Sequence, residues 1–394
     1  MHLVSFVVGD DFGENIVDFF IARRLLRNIS SIFEMLEYTI TSTSETFFAK
    51  DGGGRMRNGK IRIGIMGLGQ IGRHLYHLAL EKDDIEIVAV ADIGKPEIIQ
   101  YLLQSDGVDE PSCKLQDNYL INEKFRTRML QLARPEEVPW DVLGIDCVVD
   151  ATGRYRRRRD MEAHLRAGAK RVILASLPSE PIDRIVMPGI NEGHAVGADK
   201  MISAGSATTN AFALLLQSLD QSLGVDCASM TTVHAYSSDQ SLQDYAHEDF
   251  RRSRSAAENI IPNNNESARW VELVLPKFAG KLSGYALNVP VQQGSLLDLN
   301  CVMQDANVTV EQVNEIMRAA AAAHPTLIGV TDDPIVSSDV IGCRQSLLFD
   351  SRATIKAGKR MVKVLAWYES LGHACRVLEV IRHYSRLDGI GGEK

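Results

Sequence analysis

Six consecutive residues carry the clearest chemical signal in the chain: Gly67-Leu68-Gly69-Gln70-Ile71-Gly72. Glycines at this spacing suit a turn in which backbone, not side chain, meets a ligand. Gly67 permits the tight turn, Gly69 lets the main chain approach a pyrophosphate, and Gly72 allows a helix to pack closely on a strand. The unpaired N–H groups at the start of that helix, and the positive end of its dipole, suit phosphate oxygens. Asp92 follows twenty residues after the last glycine. Its carboxylate can accept hydrogen bonds from a ribose 2′-hydroxyl and would repel a 2′-phosphate, which favours NAD over NADP.

A glycine triplet alone says little, so its setting decides. Residues 60–66 place β-branched Ile61, Ile63 and Ile65 in alternation and read as a buried strand. Ile71, Leu75 and Leu78 give the next segment one apolar helical side. Residues 85–91 form a second strand that ends at Asp92, completing a βαβ unit. Residues 146–150 lead into Ala151-Thr152-Gly153, and residues 171–175 read as another strand, so a parallel sheet continues. Thr152 and Gly153 join the cofactor-binding candidates. Beyond them lies a basic run, Arg154 to Arg159, interrupted by Tyr155. A nucleic-acid surface would need a longer patch with more aromatics, and a solvated helix start accounts for this one.

The length of 394 residues suits two domains, and 45% hydrophobic with 24% charged residues is ordinary for a soluble globular chain. A net charge of -8 argues against a nucleic-acid partner. No apolar run approaches the roughly 18 residues that span a membrane. Cys113, Cys147, Cys227, Cys301, Cys343 and Cys375 are scattered, with no CxxC pair. That usage reads as reduced thiols in the cytoplasm. Residues 1–59 do not match the rest: acids at Asp10, Asp11, Glu14 and Asp18 disfavour a transit peptide. Met56 opens a natural-looking start directly before the first strand. The expectation is therefore a gene-start error over residues 1–55, with a regulatory arm as the alternative.

From residue 60 to residue 376 the order of segments resembles glyceraldehyde-3-phosphate dehydrogenase. The similarity runs through Gly64-Ile65-Met66-Gly67-Leu68-Gly69-Gln70-Ile71-Gly72-Arg73, then Ser206-Ala207-Thr208-Thr209-Asn210 and Thr231-Thr232-Val233-His234-Ala235. It continues through Arg251-Arg252-Ser253-Arg254-Ser255-Ala256-Ala257, Ile260-Ile261-Pro262 and Trp367-Tyr368. The bacterial branch, and its relative erythrose-4-phosphate dehydrogenase, look most similar. The resemblance implies an α/β protein: a Rossmann NAD-binding domain (60–206), an α+β catalytic and tetramerisation domain with a mixed or antiparallel sheet (207–366), and a C-terminal helix returning to the NAD domain (367–394). It also implies a homotetramer and a phosphorylated aldehyde as substrate.

In that family a cysteine thiolate attacks an aldehyde, hydride leaves for NAD, and phosphate cleaves the thioester, with a histidine as base. His234 matches the histidine. The cysteine position reads Ala207, and a methyl group cannot form a thiohemiacetal. Cys227, seven residues before His234, would lie roughly 20 Å or more away on a continuous strand. The resemblance makes Ser206 a phosphate contact, and Thr208, Ser237 and Arg252 further anion contacts. The family's phosphate-binding arginine is Asn288 here, its Thr-Gly pair is Asn265 and Glu266, and Tyr368-Glu369-Ser370-Leu371 lacks the asparagine that anchors nicotinamide. Two functions compete. One is an NAD-dependent enzyme acting on phosphorylated aldehydes, its phosphorylating activity in doubt. The other is a catalytically inactive NAD-binding pseudoenzyme with a regulatory or scaffolding role.

Overall fold

The computed structural model describes residues 59–106, 113–237 and 240–390. The expectations for residues 1–58 lie outside the described residues.

The βαβ unit forms as its periodicities require. Strand β1 (Ile61–Met66) is the centre of a nine-stranded sheet, with parallel neighbours β2 (Ile85–Asp92) and β6 (Cys147–Asp150) on its two sides. Beyond β2 come β5 (Arg126–Gln131), then β4 (Tyr119–Ile121) and β3 (Lys114–Gln116), which run antiparallel at that edge. Beyond β6 come β7 (Val172–Leu174), β9 (Met201–Ser203) and β8 (Arg184–Ile185), all parallel. The chain leaves β1 towards β2 on one side and takes up β6 on the other. A crevice therefore opens at the C-terminal ends of these strands, where doubly wound sheets bind ligands. Helix α1 (Gln70–Leu80) starts at that crevice.

The second sheet has seven strands and is mixed. β10 (Val225–Ala235) is paired in parallel with β12 (Leu282–Val289) and antiparallel with β13 (Ser295–Met303). β11 (Ile261–Asn264) closes one edge against β12. On the other side stand β16 (Met361–Tyr368), β15 (Leu347–Ala357) and β14 (Ile328–Thr331). Strand β13 alternates buried and part-exposed residues along its length, the pattern of a sheet covered on one face.

The covering element is a 17-residue helix, Ala207–Leu223. Phe212, Leu215, Leu216 and Leu219 of this helix pack with Leu297, Leu299 and Phe349 of the sheet. Ser206 caps its start, and Gly224 at φ 68° ends it in a backbone region that side chains avoid. Its first residue, Ala207, lines the crevice. The last helix, Ser370–Leu387, returns to the first sheet, where Val377, Leu378 and Ile381 join the core built on Ile63, Ile65 and Leu75.

Candidate functional site

A cavity of about 670 Å³ begins at the ends of β1, β2 and β6 and reaches Ala207 and His234. Its size is that of an ordinary small-molecule site.

The dinucleotide end is shaped by its glycines. Gly67 has φ 89°, and a Cβ there would stand 2.9 Å from the Thr152 backbone nitrogen. A Cβ on Gly72 would lie 2.2 Å from the Gly67 carbonyl oxygen. A Cβ on Gly69 would meet nothing within 4 Å, because that residue faces the open cavity. No side chain caps α1 at Gly69, so its first N–H groups remain available to an anion. These features fit the pyrophosphate of NAD. Gln70 and Ile71 also line the cavity, whereas the Leu68 side chain is buried in the core beneath it. Asp92 lines the cavity too, and its carboxylate holds the turn: Oδ2 accepts from Leu68 N at 2.7 Å and Oδ1 from Gly94 N at 2.7 Å.

Thr152 and Gly153 form the opposite wall after β6. Thr152 is held from below, its N–H and hydroxyl both donating to Asp150 Oδ1, at 2.9 and 2.6 Å. The buried His164 meets Asp150 Oδ2 through Nε2 at 3.2 Å, and Trp140 Nε1 donates to His164 Nδ1 at 3.1 Å. An indole N–H can only donate, so Nδ1 is bare and Nε2 carries the proton towards Asp150. Tyr155, read in the sequence as part of a solvated basic run, lines the cavity beside Arg154. Its hydroxyl donates to Ala133 O at 2.5 Å.

At the far end Ala207, first residue of its helix, lines the cavity together with His234, Ser237 and Tyr368. His234 Nδ1 lies 2.5 Å from the Ala235 carbonyl oxygen, which can only accept. The proton therefore sits on Nδ1, and Nε2 is the basic nitrogen. No cysteine lines this cavity. Cys227 lies near the opposite end of β10 from His234. Burial pushes the thiols of Cys147 and Cys301 up to about 12 and raises those of Cys113, Cys343 and Cys375 as well.

Of the expected anion contacts, Ser237 lines the cavity and the others are engaged elsewhere among the described residues. Thr208 is corrected most clearly: its hydroxyl is buried and lies 2.8 Å from the Tyr368 hydroxyl, away from the cavity. One residue along a helix is a rotation of about 100°, so Ala207 and Thr208 cannot face the same way. The Ser206 hydroxyl accepts from Thr209 N at 3.2 Å as the helix cap. Arg252 Nε donates to Asn263 at 3.3 Å. Asn265 accepts from Ser267 N at 2.7 Å and shapes a helix start. Glu266, expected to repel phosphate, pairs with Arg156 at 3.4 Å. Asn288 stands beside His234 in the sheet register and donates to Gln240 Oε1 at 2.7 Å.

Gln292 and Gln293 from the β12–β13 connection, and Ser295 at the start of β13, line the cavity without having been singled out in the sequence, and Arg73 stood out only through the family resemblance. Glu369 and Ser370 also line the cavity, although their segment stood out only for an asparagine it lacks.

Two family models match the chain. Residues 61–158 match the family described as glyceraldehyde 3-phosphate dehydrogenase, NAD binding domain, and residues 206–370 match its C-terminal domain. Glyceraldehyde-3-phosphate dehydrogenase 1 of Bacillus cereus is 36% identical over 325 residues, covering 81% of this chain and 97% of that protein. The Geobacillus stearothermophilus dehydrogenase is 36% identical over 326 residues, with the same coverage of 81% and 97%. The Streptomyces coelicolor dehydrogenase is 38% identical over 329 residues, again covering 81% and 97%.

Proposed function

The chain belongs to the glyceraldehyde-3-phosphate dehydrogenase family, and from that premise we propose that it is an NAD-binding member that takes a phosphorylated aldehyde but does not run the phosphorylating reaction. One observation carries the proposal: a methyl group, Ala207, stands at the helix start beside His234, while the dinucleotide turn is complete. Gly67, Gly69, Gly72, Asp92 and Thr152 would hold the cofactor, with Asp92 disfavouring a 2′-phosphate.

Bound NAD supplies a hydride acceptor. The chain's own residues set what can be done with it. Without a thiol no thioester forms, so inorganic phosphate has nothing to cleave. The route left is oxidation of the hydrated aldehyde. His234 Nε2 takes a proton from one hydroxyl as the new C=O forms, the C–H electron pair departs as hydride, and the second hydroxyl remains in the carboxylic acid product. The exposed apolar side chains Leu242, Tyr245, Phe250 and Ile260 support a homotetramer, as the family resemblance implies. Among the described residues no helix is long and apolar enough to cross a membrane. The cysteine usage supports a cytoplasmic setting.

The complete absence of turnover, a pseudoenzyme, is the second reading, favoured by the hydrogen-bonded engagement of Thr208 and by the neutral Asn288. One assay addresses the proposal: NADH formation from glyceraldehyde 3-phosphate, with and without inorganic phosphate. Phosphate-dependent turnover is expected to be absent, or at least about a thousandfold below an ordinary family rate. An ordinary rate that rises with phosphate would overturn the proposal.

A further inference from the structure

The two carboxylates that line the cavity stand at different places. Asp92 lies at the end of β2, fixed to the glycine turn. Glu369 follows β16 directly, at the end that holds Ala207 and His234. Its chain neighbour Tyr368 has its ring 6.1 Å from the His234 ring and pairs in register with Ser295, another lining residue. Glu369 is only 5% exposed. A carboxylate so enclosed needs a reason for its charge, and the helix Ser370–Leu387 gives one. Oε2 accepts from Leu371 N at 2.6 Å, and Oε1 accepts from the Ser370 hydroxyl at 2.9 Å. The helix start favours an anion there.

Among the described residues no ion pair or hydrogen bond joins Glu369 to an arginine or lysine. The lining arginines are Arg73 and Arg154, both contributed by the first sheet's connections. Arg73 is engaged by Asp106 at 2.7 and 3.2 Å. The Ser370 hydroxyl donates its proton to Glu369, so at 3.3 Å it accepts from His74 Nε2. Burial lowers the His74 pKa, which leaves that ring neutral near pH 7.

The nicotinamide ring carries a positive charge when oxidised and none when reduced. Hydride exchange requires the ring to reach the carbon held between Ala207 and His234, which is the end where Glu369 stands. We propose that Glu369 makes this a site for the oxidised cofactor: its buried carboxylate favours NAD+ over NADH and so lowers the reduction potential of the bound couple. This rests on NAD occupying the cavity described above. The selection suits a protein that keeps its dinucleotide turn and has lost its nucleophile, since it holds NAD+ and gives up NADH.

The test is calorimetric titration of the full chain with NAD+ and separately with NADH, for the wild type and for Glu369→Gln. Glutamine keeps an oxygen acceptor for Leu371 N, removes the charge, and turns the acceptor of the Ser370 hydroxyl into an amide donor that the hydroxyl can meet by rotating. The wild type is expected to bind NAD+ more tightly than NADH, and the affinity ratio is expected to fall about tenfold in the variant, through weaker NAD+ binding. A merely structural role would weaken both forms alike and leave the ratio unchanged, which overturns the proposal. Equal affinity of the wild type for the two forms overturns it without any variant. Binding of neither form would overturn the cavity assignment, and this inference with it.

Discussion

At residue 207 a single side chain separates the family's chemistry from this chain's. Ala207 opens a helix of 17 residues and lines the cavity, as does His234. A sulfur placed there would sit where a helix start lowers thiol pKa. Ala207→Cys is therefore expected to react with iodoacetamide at least about tenfold faster than Cys227, which is exposed on β10 and supplies the internal comparison. The phosphorylating rate should recover little. Asn288 puts no positive charge beside His234, and the Thr208 hydroxyl is bound to Tyr368. Labelling followed by peptide mass mapping measures the first expectation. A new thiol as slow as Cys227 would mean that residue 207 does not occupy the nucleophile position.

The strand–turn–helix element built on β1 and α1 depends on distances that allow no side chain. A methyl on Gly72 would lie 2.2 Å from the Gly67 carbonyl oxygen, so the helix would have to withdraw from the turn. Gly72→Ala is expected to weaken NAD binding at least about tenfold and to destabilise the fold by about 1–3 kcal/mol, read by calorimetry and by denaturant unfolding. Unchanged affinity would sink the assignment of this turn to the pyrophosphate. This element was legible in the sequence because its signals are local: alternating isoleucines, three glycines and an acid at the next strand's end. The catalytic end was legible only in part. Ala207 and His234 were marked by the residues around them, but the direction of Thr208 depended on helical rotation towards Tyr368, a partner 160 positions away in the chain. Gln292, Gln293 and Glu369 reach the cavity from a turn and a strand–helix junction, and no periodicity announces such residues. The ion pair of Arg156 with Glu266 likewise joins positions 110 apart, so Glu266 read alone suggested repulsion where the fold supplies a partner.

At the scale of the whole molecule, the described surface is uneven in its apolar exposure. The stretch from residue 240 to residue 260 carries Leu242 at 63%, Phe250 at 94% and Ile260 at 65% exposure, with Tyr245 beside them. Local bonds order this stretch without covering it: Asp244 accepts from Ser255 N at 2.7 Å, and Arg254 pairs with Asp244 at 3.0 Å. An ordered segment that leaves large side chains in water suits an interface between subunits, because contiguous exposed apolar surface is disfavoured on a monomer. The segment follows the end of β10 at which His234, Ala235, Tyr236 and Ser237 line the cavity, so assembly and cofactor site share a structural support. A homotetramer is expected, and mass photometry at nanomolar concentration should give a single peak near four times the subunit mass. Phe250→Asp puts a charge where the side chain is almost fully exposed. It should leave the subunit's own fold within about 0.5 kcal/mol of the wild type while shifting the distribution towards smaller species. A wild-type chain that runs as a monomer would end the tetramer proposal. A variant that assembles as well as the wild type would move the interface away from Phe250.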